Sequence, residues 1–219
     1  MKNGKKLLTA FAFVFLIHST CFSQSSDFRI RTKAGIKFNI IEKLSNTSEL
    51  ELRTKDNSSN IDVFRFNTSF GYKFHKNFNM AVGYALIFKP ISEPTSLITS
   101  HRYWVDASGN LSHANFTFSI RERFQQTFAI NESVILLRSE IKAQYAIPNS
   151  IFKPYISCEP HLFLFNQLKG LKEVRYEVGT TVAINKHNDL QMYGRYARNY
   201  NQILTPNHWV LGLNYYYKF

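Results

Sequence analysis

From Asp27 to Phe219 apolar and polar residues alternate one by one over long stretches, and few folds tolerate that pattern. Phe28, Ile30, Thr32, Ala34, Ile36, Phe38 and Ile40 alternate with Arg29, Arg31, Lys33, Gly35, Lys37 and Asn39. Phe64, Phe66, Thr68, Phe70, Tyr72 and Phe74 alternate with Arg65, Asn67, Ser69, Gly71 and Lys73. Successive side chains of a strand point to opposite faces, so a period of two gives each segment one apolar and one polar face. No stretch shows a comparable 3.6-residue period. The chain reads as all-β. Further strands are expected near Glu49–Arg53, Phe78–Phe88, His101–Asp106, Phe116–Phe128, Val134–Tyr145, Tyr155–Phe165, Val174–Ile184, Leu190–Tyr196 and His208–Phe219. Some connections are short, such as Asn185 to Asp189; others are longer, such as Lys89–Ser100 with its two prolines and Asn199–Asn207 with Pro206. One continuous meander is the simplest account.

Composition removes the other classes. A chain of 219 residues is one domain or at most two small ones. Its 20 Phe and 12 Tyr exclude disorder, because disordered chains are poor in aromatics. Two cysteines are too few for a disulfide scaffold. A mean hydropathy of −0.24 and the lack of a long apolar run beyond the start argue against a helical membrane protein. The start itself reads as an address. Lys2, Lys5 and Lys6 form a positive n-region, Leu7 to Ile17 an apolar h-region, and Cys21-Phe22-Ser23 a cleavage site before Gln24. Residues 1–23 are therefore expected to be a signal peptide. A lipoprotein signal with Cys21 acylated is the rival, but His18 and Thr20 suit it badly. Cleavage would leave Cys158 as the only cysteine, so no internal disulfide is expected.

A soluble sandwich and a transmembrane barrel both satisfy the alternation. Many segments run ten or more residues, enough to cross a bilayer at a tilt, whereas sandwich strands are nearer five or six. The apolar faces are long and aromatic: Trp209, Leu211, Leu213, Tyr215, Tyr217 and Phe219 form one column. The opposite faces mix small and charged residues, as a wet or salt-bridged interior requires. A bilayer forbids open sheet edges, so the sheet must close. The expected fold is a transmembrane antiparallel meander β-barrel of ten to twelve strands over residues 24–219, in the outer membrane. The terminal Tyr216-Tyr217-Lys218-Phe219 on a final amphipathic strand fits the signal read by the barrel insertion machinery. The eleven segments conflict with the even strand number and same-side termini of single-chain bacterial barrels. Glu49–Arg53 or His101–Asp106 is therefore the suspect assignment.

Several residues carry a resemblance. They are Arg53, Gly83-Tyr84, His101-Arg102, Arg121-Glu122-Arg123-Phe124, Pro154-Tyr155 with Glu159, Arg175 and Gly179, and Gly212-Leu213-Asn214-Tyr215. On these the mature chain resembles an uncharacterised family of bacterial outer-membrane β-barrels, a domain of unknown function of the short single-barrel type. The resemblance implies location and architecture and no activity.

Assigning polar faces to the lumen places Arg29, Arg31, Lys33, Lys37, Arg53, Arg65, Lys73, Arg102, Arg121, Arg123, Arg138, Lys142, Arg175 and Arg195 inside. The acidic set is Glu49, Glu51, Asp106, Glu140, Glu159 and Glu177. The plain account is an Arg–Glu network that fills a narrow barrel, since an unpaired buried charge is costly. The surplus of basic groups favours an anion-attracting lumen, so a narrow anion-favouring pore or a solute-binding barrel is the functional expectation. Hairpin pairing puts Glu140 near Glu159, and His161 near Glu177. Two carboxylates and a histidine could serve acid–base work, making a membrane-embedded lipid hydrolase the alternative. A belt ionised by the intervening arginines is preferred. Glu122 falls on the outer face, suggesting a bulge or a place near the membrane boundary.

Ser100-His101 and Ser112-His113 are neighbours in sequence, so their side chains diverge and make no nucleophile–base couple. The scattered histidines show no metal spacing. No enzymatic activity and no cofactor are expected, and nucleic acid is excluded as a partner because the basic residues alternate with apolar ones instead of clustering. Outer-membrane lipids are the expected surroundings, with rim lysines near lipid phosphates. Cys158 should face outward as an inert small residue. Pro160 hints at a bulge.

Overall fold

The computed structural model describes residues 26–90, 97–129, 132–165, 170–200 and 206–219. The expected signal peptide lies outside them. Eleven strands follow one another: β1 (Asp27–Ile41), β2 (Leu44–Lys55), β3 (Asn60–His75), β4 (Phe78–Pro90), β5 (Leu97–His113), β6 (Phe116–Ala129), β7 (Glu132–Tyr145), β8 (Phe152–Phe165), β9 (Gly170–Ala183), β10 (Asn188–Asn199) and β11 (His208–Lys218). Each pairs with its sequence neighbours, and the sheet closes on itself through β1 and β11. It is an all-β meander barrel.

The closing pair is parallel. Its register runs without a break from Asp27 opposite His208 to Lys37 opposite Lys218. A meander reverses direction at every hairpin, so an odd strand count brings the first and last strands together running the same way. The expectation of an even count is therefore corrected, and so is that of termini on one side. β1 starts at one rim and β11 ends at the other. Both suspect segments are real strands, and longer than the alternation indicated: β2 has 12 residues and β5 has 17. In β2 the run Ser45-Asn46-Thr47-Ser48 is polar on both faces, and in β5 Ala107-Ser108-Gly109 is small on both, so periodicity fades where pairing continues. The rim where β11 ends carries connections 42–43, 76–77, 114–115, 146–151 and 184–187. In the 114–115 turn Ala114 takes φ 48°, as a two-residue hairpin turn demands.

The burial pattern is inverted relative to a soluble protein. Along β11 buried and exposed residues alternate strictly, with Trp209, Leu211, Leu213, Tyr215 and Tyr217 outside and His208, Val210, Asn214 and Tyr216 inside. Glu51, Arg65, Asp106, Glu159, His161 and Glu173 are buried, whereas Phe28, Phe64, Phe70, Val105, Phe118, Ile156 and Leu211 are exposed. The few apolar residues inside form small groups, such as Val63, Ala85, Ile87 and Trp104. The barrel is greasy outside and polar within.

Pro160 has the predicted consequence. The β7–β8 ladder leaves Ser139 and Glu140 unpaired, and the β8–β9 register shifts just beyond, between His161 and Leu162. A proline cannot donate to the ladder, and a bulge beside it absorbs the mismatch. Glu122 follows neither expectation made for it. The β5–β6 and β6–β7 registers pass through it unbroken, it lies mid-strand on the outer face, and it accepts a 2.6 Å hydrogen bond from Ser139 Oγ.

Candidate functional site

The polar faces enclose a cavity of about 610 Å³ that runs from Lys89 and Lys172 towards one rim to Lys142 and Tyr216 towards the other. All eleven residues singled out for a lumen charge network line it: Arg65, Arg102, Arg121, Arg123, Arg138, Glu140, Glu159, His161, Arg175, Glu177 and Arg195. Lys73 does not; it is exposed near the end of β3. Arg29 sits at the rim where β1 starts, bonded through Nε to Asp27 at 2.5 Å. Asp106 is present as expected, holding Arg123 through two 2.6 Å hydrogen bonds.

Two carboxylates organise the interior. Glu51, on β2, is fully enclosed and receives the guanidiniums of Arg31 (2.7 Å), Arg65 (2.6 Å) and Arg53. These three come from β1, β3 and β2, so one carboxylate ties three strands together. Glu159, on β8, receives Arg121 Nη2 at 2.8 Å and Arg138 Nη2 at 2.7 and 2.9 Å. Arg175 lies 3.7 Å away, and His161 Nε2 is 2.8 Å from the same carboxylate. Arg121 also reaches Glu140 at 2.7 Å. A buried carboxylate needs several such partners, because desolvation offsets most of the gain from any single pair.

Glu140, Glu159 and His161 are thus brought together as the hairpin register implied. Each carboxylate is engaged by guanidinium, the arrangement of a salt-bridged belt. The carboxylate beyond His161 is Glu173, 2.9 Å from Nδ1, and not Glu177. β9 begins at Gly170, four residues before the expected start, and one unbroken register from Phe152 opposite Val182 sets His161 opposite Glu173. Glu173 shares a face with Arg175 and Glu177 but precedes the expected start of the strand, which hid it. Glu177 instead accepts from Arg195 Nη2 at 2.5 Å and from Tyr155 Oη at 2.6 Å. Gln191 donates to the same phenol at 2.5 Å and accepts from Asn214 at 2.9 Å. Lys33 Nζ and Tyr216 Oη bind opposite oxygens of Glu49 at 3.0 and 2.6 Å.

The alternation assigned no role to four lumen-facing glycines. Each stands directly across from an aromatic of the next strand: Gly35 from Tyr216, Gly83 from Trp104, Gly179 from Tyr155 and Gly212 from Tyr193. A Cβ on Gly212 would lie 2.0 Å from the Tyr193 ring, and one on Gly83 would lie 2.2 Å from the Trp104 indole. The rings lie against the wall where the side chain is missing, an arrangement that covers exposed backbone and keeps the ring out of the centre. Lysines sit over two of these rings: Lys37 Nζ is 3.9 Å from the Tyr216 centroid and Lys142 Nζ 3.7 Å from that of Tyr155.

On β5 Ser100 and His101 diverge as expected, Ser100 buried towards the cavity and His101 exposed with Nδ1 2.8 Å from Tyr84 Oη. Ser112 pairs with Thr117 at 3.1 Å.

Residues 28–206 match the model of the family described as "Protein of unknown function (DUF2490)". The chain belongs to that family. The match covers β1 to β10 and stops just short of β11, the strand that closes the barrel. Family membership accords with the resemblance of an uncharacterised single-barrel protein and assigns no activity. No curated protein matches the chain.

Proposed function

We propose that this DUF2490 barrel spans the outer membrane and takes small anionic solutes into a basic lumen. One observation carries the reading. A cavity lined by thirteen lysines and arginines against seven aspartates and glutamates is enclosed by a wall whose outer face is apolar. Exposed Phe, Ile, Leu and Tyr around a whole barrel are unstable in water and suited to hydrocarbon, where a closed sheet satisfies every backbone group. Inside, the fixed positive excess raises the local concentration of anions and lowers that of cations. An export signal at residues 1–23 belongs to the same proposal.

The reading is non-catalytic. The group suited to hydrolysis, Glu140, Glu159 and His161, faces the lumen and is held by arginines, which supports a structural and electrostatic role.

Planar-bilayer recording of the refolded mature chain under a potassium chloride gradient tests the proposal. A reversal potential on the anion side is expected. Cation selectivity, or a membrane that stays silent, would contradict it.

A further inference from the structure

The positive surplus is not spread evenly. Around Glu51 and the neighbouring wall stand four guanidiniums, those of Arg31, Arg53, Arg65 and Arg102; three of them share Glu51, and Glu49 beside it is already engaged by Lys33. Arg102 is the exceptional member. It lies inside the barrel on β5, its Nε donates to Thr127 Oγ1 at 2.8 Å, and among the described residues no carboxylate comes within 4 Å of it. The charged groups that act on it most strongly are Arg65, Arg53, Arg138 and Arg123, all cations. A second observation points the same way. Arg65 is over nine-tenths buried, yet its Nε finds no acceptor in the protein, and the same holds for Arg138 Nε. Arg65 and Arg138 stand on β3 and β7, on either side of Arg102 on β5. Buried donors require acceptors, and buried guanidiniums require counter-charge.

Resting on the anion-taking lumen proposed above, we infer that Arg102, Arg65 and Arg138 form a binding site for a tetrahedral oxyanion of the phosphate or sulfate type. Such an ion presents several acceptor oxygens in different directions, which matches planar N–H forks approaching from three strands. Its double charge matches a surplus of more than one guanidinium, which a single chloride does not neutralise. Thr127 positions Arg102. Trp104, two residues along β5, packs its ring 5.0 Å from the Arg123 guanidinium and lines the same cavity.

The test is thermal unfolding of the mature chain, refolded in a nonionic, phosphate-free detergent, at constant ionic strength. Sodium phosphate is titrated against sodium chloride. A ligand that binds only the folded barrel raises its melting temperature in proportion to log concentration above Kd. Phosphate is expected to raise the midpoint beyond chloride, and Arg102→Gln to weaken the apparent affinity at least tenfold. In chloride alone Arg102→Gln should melt no lower than wild type, because it removes a cation facing other cations. Thr127→Val, which frees Arg102 from its anchor, should weaken phosphate binding less than Arg102→Gln does. Equal shifts in phosphate and chloride, or a phosphate shift that survives Arg102→Gln, would overturn the site. The outcome separates from that of the bilayer experiment. Anion selectivity without a phosphate-specific shift removes the site and leaves the lumen reading. A phosphate shift lost in Arg102→Gln, in a barrel that does not conduct, supports the site and removes the pore.

Discussion

At the scale of single residues the lumen is a set of unequal ion pairs, and their inequality is measurable. Glu51 has no exposed side-chain surface and three guanidinium partners, whereas Glu140 keeps 25% of its side chain exposed and, among the described residues, pairs with Arg121 alone. Removing one partner from a buried cluster leaves the others uncompensated, at about 3–5 kcal/mol. A partly exposed pair contributes about 1 kcal/mol or less. Glu51→Gln should therefore destabilise the barrel several times more than Glu140→Gln, as read by urea unfolding in detergent. Comparable losses from the two would mean that Glu51 is not the hub described. Arg65, Arg121, Arg138 and Glu159 were legible as inward residues because alternation alone sets their face. Their partners were not, because pairing depends on register. His161 shows the difference: its face was evident, but its contact with Glu173 in place of Glu177 followed from β9 beginning at Gly170, four residues before its alternation becomes clear.

At the scale of elements, each strand is legible wherever one face is apolar and blurred where both faces are polar or small. β11 alternates without exception and was bounded to within a residue. β2 and β5 were found only by their central residues. The glycine–aromatic pairs explain part of that blur, since a glycine on the polar face weakens the periodic signal while the cross-strand ring supplies the packing. Gly212→Ala would push a methyl group into the Tyr193 ring and should destabilise the barrel by about 1–3 kcal/mol. Gly212→Ala combined with Tyr193→Leu should recover part of that loss, because the clash is with the ring. Full additivity of the two single losses would show that glycine and ring do not interact.

At the scale of the whole molecule, strand number sets the topology, and eleven strands impose a parallel seam. Alternation counted the strands without revealing how they close, since the seam joins residues 181 positions apart, as Asp27 and His208 are. The seam can be tested by cross-linking outward positions in a Cys158→Ser background. Ile30 stands opposite Leu211, and Ile36 opposite Tyr217. Paired cysteines at 30 and 211, or at 36 and 217, should oxidise to an intramolecular disulfide detectable by gel mobility. Cysteines at 36 and 211 should not, and their cross-linking would contradict the parallel register. The same geometry places the start of β1 and the end of β11 at opposite rims. In the proposed membrane orientation, the two ends of the folded chain therefore face different compartments.

If the apolar outer wall meets lipid while the charged faces enclose the lumen, the two tryptophans report on it directly. Trp104 points into the cavity and is 8% exposed; Trp209 lies on the outer wall, 36% exposed and packed against Tyr196. The most direct measurement is tryptophan fluorescence of the refolded mature barrel in vesicles whose acyl chains carry bromine, which quenches on contact. Strong quenching is expected in Trp104→Phe, where Trp209 remains, and little in Trp209→Phe, where Trp104 remains. Equal quenching of both, or of neither, would contradict it.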